Sequence, residues 1–282
     1  MQYSIIVNTC DSFEDCWNPF FRLFKTYWAD CQGKIFLNTE YKDYSYPGLD
    51  IIAVKGCGQH DYSKTKRATW SQCLLWALDT VDTDVVLYLQ EDYFFKDKVQ
   101  NAIVEEFVSL MEKEKEIKCI QLTDQSGKRT EKSNFPHLNI YDVKQPYRVS
   151  CQAALWRKDE LKSILCKEES AWDFEEFGSQ RSTIIAHLYL AVSRDWVTLN
   201  HFEIIPYIFT GIIRGRWKRD VVALFENNGI QVDFSKRGFE EDVPPKPFLK
   251  RVQYRLDRIP KLIRHYFILR RLRKTKVVSS LP

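Results

Sequence analysis

Residues 84–95 read DVVLYLQEDYFF, and the fold class follows from this stretch. A continuous apolar run at 85–89 is followed by Gln90, by the adjacent carboxylates Glu91 and Asp92, and then by aromatic side chains. Such runs are typical of strands buried on both faces of a parallel sheet, and in open α/β sheets ligands bind at the carboxyl ends of the strands. The stretch therefore predicts a central strand that delivers two acids to a binding edge. A strand ending in a plain polar turn would give the same pattern.

The sequence on either side alternates between strand and helix patterns. Further strands are predicted from apolar runs at residues 3–8, 34–37, 50–54 and 117–122. Helical spacing of large apolar residues predicts helices at about 12–30 and 68–81, and a further helix capped by Asp97. The alternation predicts an α/β fold with a mostly parallel sheet flanked by helices. No glycine fingerprint follows the first strand and no phosphate-loop motif is present, which argues against a dinucleotide-binding Rossmann unit and an ATPase.

The second half of the chain has a different character. Residues 126–146 are polar and rich in turn formers, so we expect a mobile connection there. A strand is predicted within 147–156 and a short helix at 158–165. The segment 172–176, WDFEE, then crowds three acids among aromatic residues. This density is unusual for a plain surface loop and makes the segment a candidate functional site.

The eight cysteines show neither a C-x-x-C pair nor a histidine at zinc-finger spacing. We therefore expect reduced, mostly buried thiols in a cytosolic protein. The chain enters its first strand within two residues of Met1 and has no apolar run of membrane-spanning length, so neither a signal peptide nor a transmembrane helix is expected.

The basic charge of the chain is concentrated near its carboxyl end. The net charge is +4, but residues 246–276 hold 12 Lys or Arg and one acid, so they carry +11 and the rest of the chain carries −7. The apolar residues of this tail recur every three or four positions: Phe248, Val252, Leu256, Ile259, Ile263 and Phe267. The pattern predicts a basic amphipathic helix pair, divided at Pro260, that lies on an anionic membrane. Nucleic acid and a partner groove are the alternatives.

The layout of residues 1–220 resembles that of GT-A type glycosyltransferases, most of all bacterial enzymes of capsule, lipopolysaccharide or O-antigen assembly. In that family the loop after the first strand and an acid after the second hold the base and ribose of a nucleotide-sugar donor. The resemblance assigns this role to Thr9, Asp11 and Glu40. It also implies a GT-A fold and a donor site at the end of the central strand.

The family's central strand ends in an Asp-x-Asp motif, which binds the donor diphosphate through a divalent cation. In this chain the motif falls on Gln90, Glu91 and Asp92, with Gln90 in place of the first Asp. Hard cations such as Mn²⁺ or Mg²⁺ take one or two protein carboxylates together with phosphate oxygens. The resemblance therefore implies that Asp92 is the metal ligand and that Glu91 assists it.

A metal-independent variant of the donor site stays open. In it, Arg214, Arg216 and Lys218 would neutralise the diphosphate, because guanidinium and ammonium groups pair strongly with phosphate. The alternative for these three residues is a solvated basic loop.

The WDFEE segment resembles the family's acceptor-side motif, in which a carboxylate deprotonates the attacking hydroxyl in an inverting mechanism. The resemblance places this base at Glu175 first and at Asp173 second. A base of this kind must lie within hydrogen-bond reach of the acceptor and be ionised at the working pH. The alternative is that these acids cap the helix that follows.

The sequence is thus interpreted as a peripheral glycosyltransferase on the cytoplasmic face of the inner membrane, with a lipid-linked glycan as acceptor and no nucleic acid partner. Its expected parts are a donor half at 1–125, an acceptor half of the same domain at 126–243 and the basic tail at 244–282. A sugar nucleotidyltransferase would show a Gly-rich basic loop after the first strand, which is absent here. The non-enzymatic alternative is a membrane-associated nucleotide-sugar-binding or scaffold protein of polysaccharide assembly. Retention or inversion at the anomeric carbon stays open.

Overall fold

The computed structural model describes residues 2–63, 65–123, 130–242 and 248–279; for 248–255 and 276–279 it describes the backbone alone. The strands are β1 (Ser4–Asn8), β2 (Lys34–Asn38), β3 (Ile51–Ala53), β4 (Val85–Gln90), β5 (Ile117–Gln121), β6 (Thr130–Lys132), β7 (Leu138–Tyr141), β8 (Ala154–Arg157), β9 (Leu188–Val192), β10 (Ile212–Ile213) and β11 (Arg216–Trp217). The α-helices are α1 (Glu14–Tyr27), α2 (Gly56–Gln59), α3 (Trp70–Thr80), α4 (Asn101–Lys113), α5 (Lys158–Ile164), α6 (Ala171–Asp173), α7 (Ser179–Ile185), α8 (Asp220–Asn227) and α9 (Phe248–Ser279). Short 3₁₀ turns lie at Asp11–Phe13, Phe234–Lys236 and Glu240–Asp242, and a π-helical turn at Phe174–Gly178 joins α6 to α7.

Within the described residues, strands β1 to β9 form one sheet in the order β3-β2-β1-β4-β8-β5-β9-β7-β6. The strands β3, β2, β1 and β4 are parallel, β8 runs antiparallel between β4 and β5, and β9 returns parallel to β5. Helices flank this sheet, and the described chain ends in the long helix α9. The predicted α/β fold with a mostly parallel sheet is confirmed.

Strand β4 lies at the centre of the buried layer because every residue from Val85 to Leu89 is buried. In the parallel register, Asn8 lies opposite both Asn38 and Gln90, so β1, β2 and β4 end side by side. The Asn38 amide donates a 2.7 Å hydrogen bond to the Asn8 side-chain oxygen at this end. The chain segments that leave the three strands therefore start from one polar edge.

Helix α1 packs its aromatic face against the sheet near this edge. Its buried residues are Cys16, Trp17, Pro19, Phe20, Phe21, Leu23 and Phe24. Aromatic side chains bury the largest apolar areas of any residue type, so this face fixes the helix and the loop that precedes it. The Trp17 indole also donates a 2.8 Å hydrogen bond to the Thr9 hydroxyl, which joins the helix to the end of β1.

Several local predictions were wrong. Helix α4 begins at Asn101 with Gln100 as its N-cap, and the Asp97 side chain instead accepts a hydrogen bond from the Lys98 amide. The polar stretch expected to be a mobile connection forms the hairpin of β6 and β7; its residues 126–129 lie outside the described residues. The strand expected within 147–156 begins only at Ala154. The preceding residues form a loop beneath the candidate site.

The tail is one helix, because α9 continues through Pro260 instead of dividing there. Proline normally breaks a helix, since it lacks an amide hydrogen and its ring crowds the carbonyl four residues earlier. The start of the tail, residues 244–247, lies outside the described residues. No described helix combines the length and the apolar character needed to cross a membrane. The domain boundaries at 125 and 243 stay a prediction.

Candidate active site

Two adjacent acids, Glu91 and Asp92, leave the end of β4 and are both buried, at 6% and 7% exposure. The Asp92 carboxylate accepts hydrogen bonds from the Thr210 hydroxyl and, at 3.2 Å, from the Ile212 amide. The Gly211 amide donates to the Asp92 backbone carbonyl at 2.8 Å. The apolar segment near 204–213 therefore returns to the central strand and wraps around Asp92.

Burial makes the ionised forms of these two acids costly. It raises the pKa of Glu91 well above its usual range, and the neighbouring Asp92 charge raises it further. Burial also raises the pKa of Asp92 to about 6, against the lowering effect of the hydrogen bonds from Thr210 and Ile212. A hard divalent cation held by these carboxylates would favour the charged form of both.

Gln90, the residue that departs from the Asp-x-Asp pattern, takes part in a neighbouring hydrogen-bond network. Its side-chain amide donates to the Tyr93 hydroxyl at 3.2 Å, and that hydroxyl donates to the Cys151 carbonyl at 2.8 Å. Gln152 also donates to the Tyr93 hydroxyl, at 3.0 Å. In this structure Gln90 therefore orients Tyr93, the residue that follows Asp92.

Glu175 belongs to the same neighbourhood through Cys151. It is half-buried in the π-helical turn, and its carboxylate accepts a 2.8 Å hydrogen bond from the Cys151 amide. Burial raises the pKa of Glu175, and the Cys151 amide partly offsets this. The Tyr93 hydroxyl donates to the Cys151 carbonyl and the Cys151 amide donates to Glu175, so a single residue links Glu175 to the side chain that follows Asp92. The structure thus brings together two acids that are 83 positions apart in the numbering.

Asp173 has a different environment from Glu175. Its carboxylate accepts hydrogen bonds from the Ser170 amide and hydroxyl in a capping box and pairs with Lys261 of α9 at 2.6 Å. Burial raises its pKa, but the hydrogen bonds from Lys261 and Ser170 outweigh burial and leave the pKa below its usual value. Asp173 therefore acts as a helix cap and as an anchor for α9, which matches the alternative given for the acids of this segment.

The loops after β1 and β2 are joined by Asp11 and Glu40. The Asp11 carboxylate accepts from the amides of Glu40, Tyr41 and Lys42 at 2.9, 3.0 and 3.2 Å. In return, the Glu40 carboxylate accepts from the Asp11 amide at 3.1 Å. Two of the residues assigned to the donor, Asp11 and Glu40, therefore lie next to each other, and in this structure their carboxylates bind the two loops to each other.

A cleft of about 570 Å³ opens beside these loops. Its lining residues are Asp11, Ser12, Glu14, Asp15, Lys42, Arg214, Gly215, Arg216, Lys236 and Arg237. Arg214 and Arg216 of the predicted basic group thus face the loop that carries Asp11. Lys218 is absent from the lining, and its ammonium pairs with Asp220 at 2.8 Å. The predicted basic group is therefore split between two environments.

Arg237 also lines the cleft, although no pattern in the sequence singles it out. Its guanidinium donates to both Asp15 carboxylate oxygens, to the Ser12 carbonyl at 2.7 Å and to the Gly215 carbonyl at 3.4 Å, and it stacks 4.3 Å from the Phe13 ring centre. Its charge also lowers the pKa of Glu91, against the larger effects of burial and of Asp92. Arg237 therefore joins the two walls of the cleft.

No protein-family model matches the chain, and neither does any curated protein. Structural neighbours are nucleotide-sugar glycosyltransferases and nucleotidyltransferases. One is S. aureus TarS 1–349 in complex with UDP-GlcNAc, with TM-score 0.41, 13% identity and coverage of 68% of this chain and 59% of that one. Another is glucosyl-3-phosphoglycerate synthase from Mycobacterium tuberculosis with Mn²⁺, UDP-glucose and glycerol 3-phosphate, with TM-score 0.40, 9% identity and coverage of 66% of each chain.

A third neighbour is a CMP:2-keto-3-deoxy-manno-octonic acid synthetase complexed with CTP, with TM-score 0.42, 12% identity and coverage of 81% of this chain and 98% of that one. The chain spans between 37% and 62% of the length of the TarS structures that it matches. At these TM-scores, the assignment of a function rests on the geometry of the site alone.

Proposed function

We propose that this protein transfers a sugar from a nucleotide-diphosphate sugar to a hydroxyl of a glycan acceptor. The observation that carries the proposal is the pair of buried acids, Glu91 and Asp92, at the carboxyl end of β4. Acids at the carboxyl end of a central strand, next to a cleft, form the usual place of ligand binding in α/β sheets.

The cleft would hold the donor. Arg214 is 71% exposed and lies 3.9 Å from Glu240, a distance at which an exposed ion pair contributes little. The Arg216 guanidinium donates to the Arg237 carbonyl at 2.8 Å, which holds it at the cleft without neutralising its charge. Both guanidinium groups are therefore available to pair with a diphosphate, for which their planar, multi-donor geometry is well suited.

Glu91 and Asp92 would hold the divalent cation, because two buried carboxylates supply the oxygen ligands that Mn²⁺ and Mg²⁺ prefer. Such a cation, when bound, supplies positive charge to the diphosphate leaving group. The protein's own contribution is to exclude water and to fix Asp92 through Thr210 and Ile212.

Glu175 would be the general base. The acceptor hydroxyl oxygen forms a bond to the anomeric carbon, the bond from that carbon to the diphosphate oxygen breaks, and the hydroxyl proton passes to the Glu175 carboxylate. This direct displacement inverts the anomeric configuration. Trp172, three positions earlier, is 75% exposed and offers an aromatic face of the kind on which a sugar ring packs.

Helix α9 would place the enzyme on an anionic membrane surface, where a lipid-linked acceptor is found. Its described apolar residues that are half or more exposed are Leu256, Ile263, Tyr266 and Phe267, at 54% to 59%. Three of its basic residues instead face the domain, since Arg258, Lys261 and Arg264 pair with Glu176, Asp173 and Glu168. Among the α9 residues whose side chains the structure describes, the basic charge left for lipid is that of Arg270, Arg271, Arg273 and Lys274.

The donor assignment is tested by thermal unfolding in the presence of UDP-, GDP-, CMP- and dTDP-sugars, each with and without Mn²⁺. A ligand that binds only the folded state stabilises it, by about 2.7 kcal/mol at a hundredfold excess over its Kd. We expect the sugar nucleotides of one base to raise the Tm when Mn²⁺ is present. Asp92→Asn should abolish the part of this rise in Tm that depends on Mn²⁺. Absence of any shift across the panel would contradict the donor site.

The base assignment is tested by sugar transfer to a panel of glycan acceptors. We expect Glu175→Gln to lower kcat by about 10²- to 10⁴-fold, because a general base contributes this much. The affinity of Glu175→Gln for the donor should stay within a few-fold of the wild-type value. The matched control is Glu176→Gln, which removes only the ion pair with Arg258. Transfer at the wild-type rate by Glu175→Gln would refute the role, and donor binding without transfer by the wild type would favour the scaffold alternative.

The membrane assignment is tested by flotation with phosphatidylcholine vesicles, with and without phosphatidylglycerol. We expect binding only to the anionic vesicles, and a loss of about 100-fold or more when the four basic residues from Arg270 to Lys274 are replaced by Ala, since each contributes about 1 kcal/mol near such a surface. The control replaces four exposed lysines outside the helix: Lys98, Lys113, Lys115 and Lys132. Equal loss in both variants would contradict a specific role for α9.

A further inference from the structure

We propose that Glu40, Cys57 and Cys73 form a binding site for a thiophilic divalent cation such as Zn²⁺, separate from the carboxylate pair of the proposed donor site. Their ligand atoms, one carboxylate oxygen and two sulfurs, all lie within 4.8 Å of one another. The three residues are far apart in sequence and come from the loop after β2, from α2 and from α3. Cysteine sulfur and carboxylate oxygen are both ordinary zinc ligands.

The backbone holds two of the three ligands in place without the metal. The Gly56 amide donates to the Thr39 carbonyl at 3.0 Å, and the Gly58 amide donates to the Glu40 carbonyl at 3.1 Å. These two hydrogen bonds flank Cys57 and fix it against the segment that carries Glu40. Because the positions of the ligands are set by the fold, a bound cation would not need to reorganise the chain.

Helix α3 brings the third ligand. Trp76 packs on Gly56, where a Cβ atom would lie 3.3 Å from the indole ring, so α2 and α3 approach closely. Cys57, Cys73 and Ala68 form a small buried cluster of their own, apart from the two main cores and bordered by half-buried aromatic residues. Two of the three members of this cluster are thus cysteines whose sulfurs lie next to a carboxylate.

The Glu40 carboxylate adds a negative charge beside this pair of buried thiols. Among the ion pairs of the described residues, none involves Glu40; its carboxylate accepts from the Asp11 amide. A cation among these three ligands would compensate the negative charge of Glu40 and of the thiolates at once.

Zinc binds the thiolate form of cysteine, so each cysteine ligand gives up its proton when the metal binds. Binding of one Zn²⁺ therefore forms two zinc–sulfur bonds and releases two protons to solvent. Cys57 and Cys73 are 1% and 5% exposed while Glu40 is half-buried, so solvent or a further ligand would complete the coordination from the Glu40 side.

The test is a titration of the full, reduced chain with Zn²⁺ in competition with a chromophoric chelator, and with Co²⁺ followed by its thiolate charge-transfer absorption. We expect one equivalent to bind with a thiolate spectrum. Cys57→Ser and Cys73→Ser should each weaken binding at least tenfold, since loss of even an outer-shell partner costs about 10- to 100-fold. The control is Cys166→Ser, a half-buried thiol elsewhere, which should bind as the wild type does.

A second measurement needs no variant. Zn²⁺ should slow alkylation of Cys57 and Cys73 in the native protein, read by mass spectrometry of the peptides, and should leave Cys31 unaffected. Binding that survives both serine variants, a cobalt spectrum without thiolate bands, or alkylation unchanged by Zn²⁺ would overturn the site. No nucleotide sugar enters either experiment, so the outcome is independent of the proposed transferase activity.

Discussion

Removal of the Arg237 guanidinium tests whether the cleft is held together as the structure shows. The side chain is 13% exposed and its partner Asp15 is 25% exposed, so the pair is shielded but not fully buried. Breaking a fully buried pair costs about 3–5 kcal/mol, and hydrogen bonds to charged groups contribute about 1.5–3 kcal/mol. We therefore expect Arg237→Ala to lower the free energy of unfolding by about 2–3 kcal/mol.

Arg237→Lys separates charge from geometry. Lysine keeps the positive charge but loses the two-oxygen grip on Asp15 and the stacking on Phe13. We expect Arg237→Lys to recover less than half of the free energy of unfolding that Arg237→Ala loses. If lysine restored the wild-type stability, the charge alone would matter and the bidentate geometry would not.

The assay is urea unfolding followed by circular dichroism, for the wild type, Arg237→Ala, Asp15→Ala and the double variant. Asp15 also lies in the first turn of α1, where an acid stabilises the helix, but this contribution is present in both arms of the cycle and cancels. We expect a coupling energy of about 1–3 kcal/mol. A loss below about 0.5 kcal/mol for Arg237→Ala, or a coupling energy of zero, would refute the reasoning.

Two further predictions address α9 and the loop at Asp92. Burial and then the Arg181 charge lower the pKa of His265 to about 4, whereas the usual histidine pKa is about 6.5. Between these two pH values the unfolded state therefore binds more protons than the folded state. The free energy of unfolding should therefore fall as the pH drops through this window, by at most about 1.4 kcal/mol per pH unit. His265→Phe should flatten the pH dependence of protease cleavage in α9. A pH dependence of cleavage equal to that of the wild type would contradict the role of His265. Gly211→Ala should cost about 2–3 kcal/mol in urea unfolding, because its Cβ would overlap the Phe94 ring and approach the Asp92 carbonyl to 3.1 Å. The control Gly58→Ala, whose Cβ would meet only Tyr41 at 3.9 Å, should cost nothing, and equal losses would argue against the overlap.

The parallel half of the sheet was predictable because its strands are buried on both faces. All residues of β1 and all but the last of β4 are buried, so the middle of β1 and the first five residues of β4 appear in the sequence as apolar runs. Helix α1 was predictable for the related reason that one face carries nearly all of its aromatic residues. Strand β6 has no buried residue and β7 is buried only at its two ends, so the local sequence pattern of both is that of a polar loop.

The cap at Asp173 carried a signal in the sequence. Ser170 and Asp173 have the Ser-x-x-Asp spacing of a capping box, and the structure forms that box. The sequence could not show that Lys261 pairs with the same carboxylate, because the two residues are 88 positions apart.

The sequence by itself determined that two acids follow a central buried strand, because a continuous apolar run of five residues is typical of a strand buried on both faces. Tertiary structure alone decided which side chains from distant parts of the chain contact one another. Arg237 reaches Asp15 across 222 positions, and Glu40 meets two cysteines that no spacing rule connects. Such contacts depend on the path of the loops between strands, and that path is set by packing of the whole domain and not by any local pattern of residues.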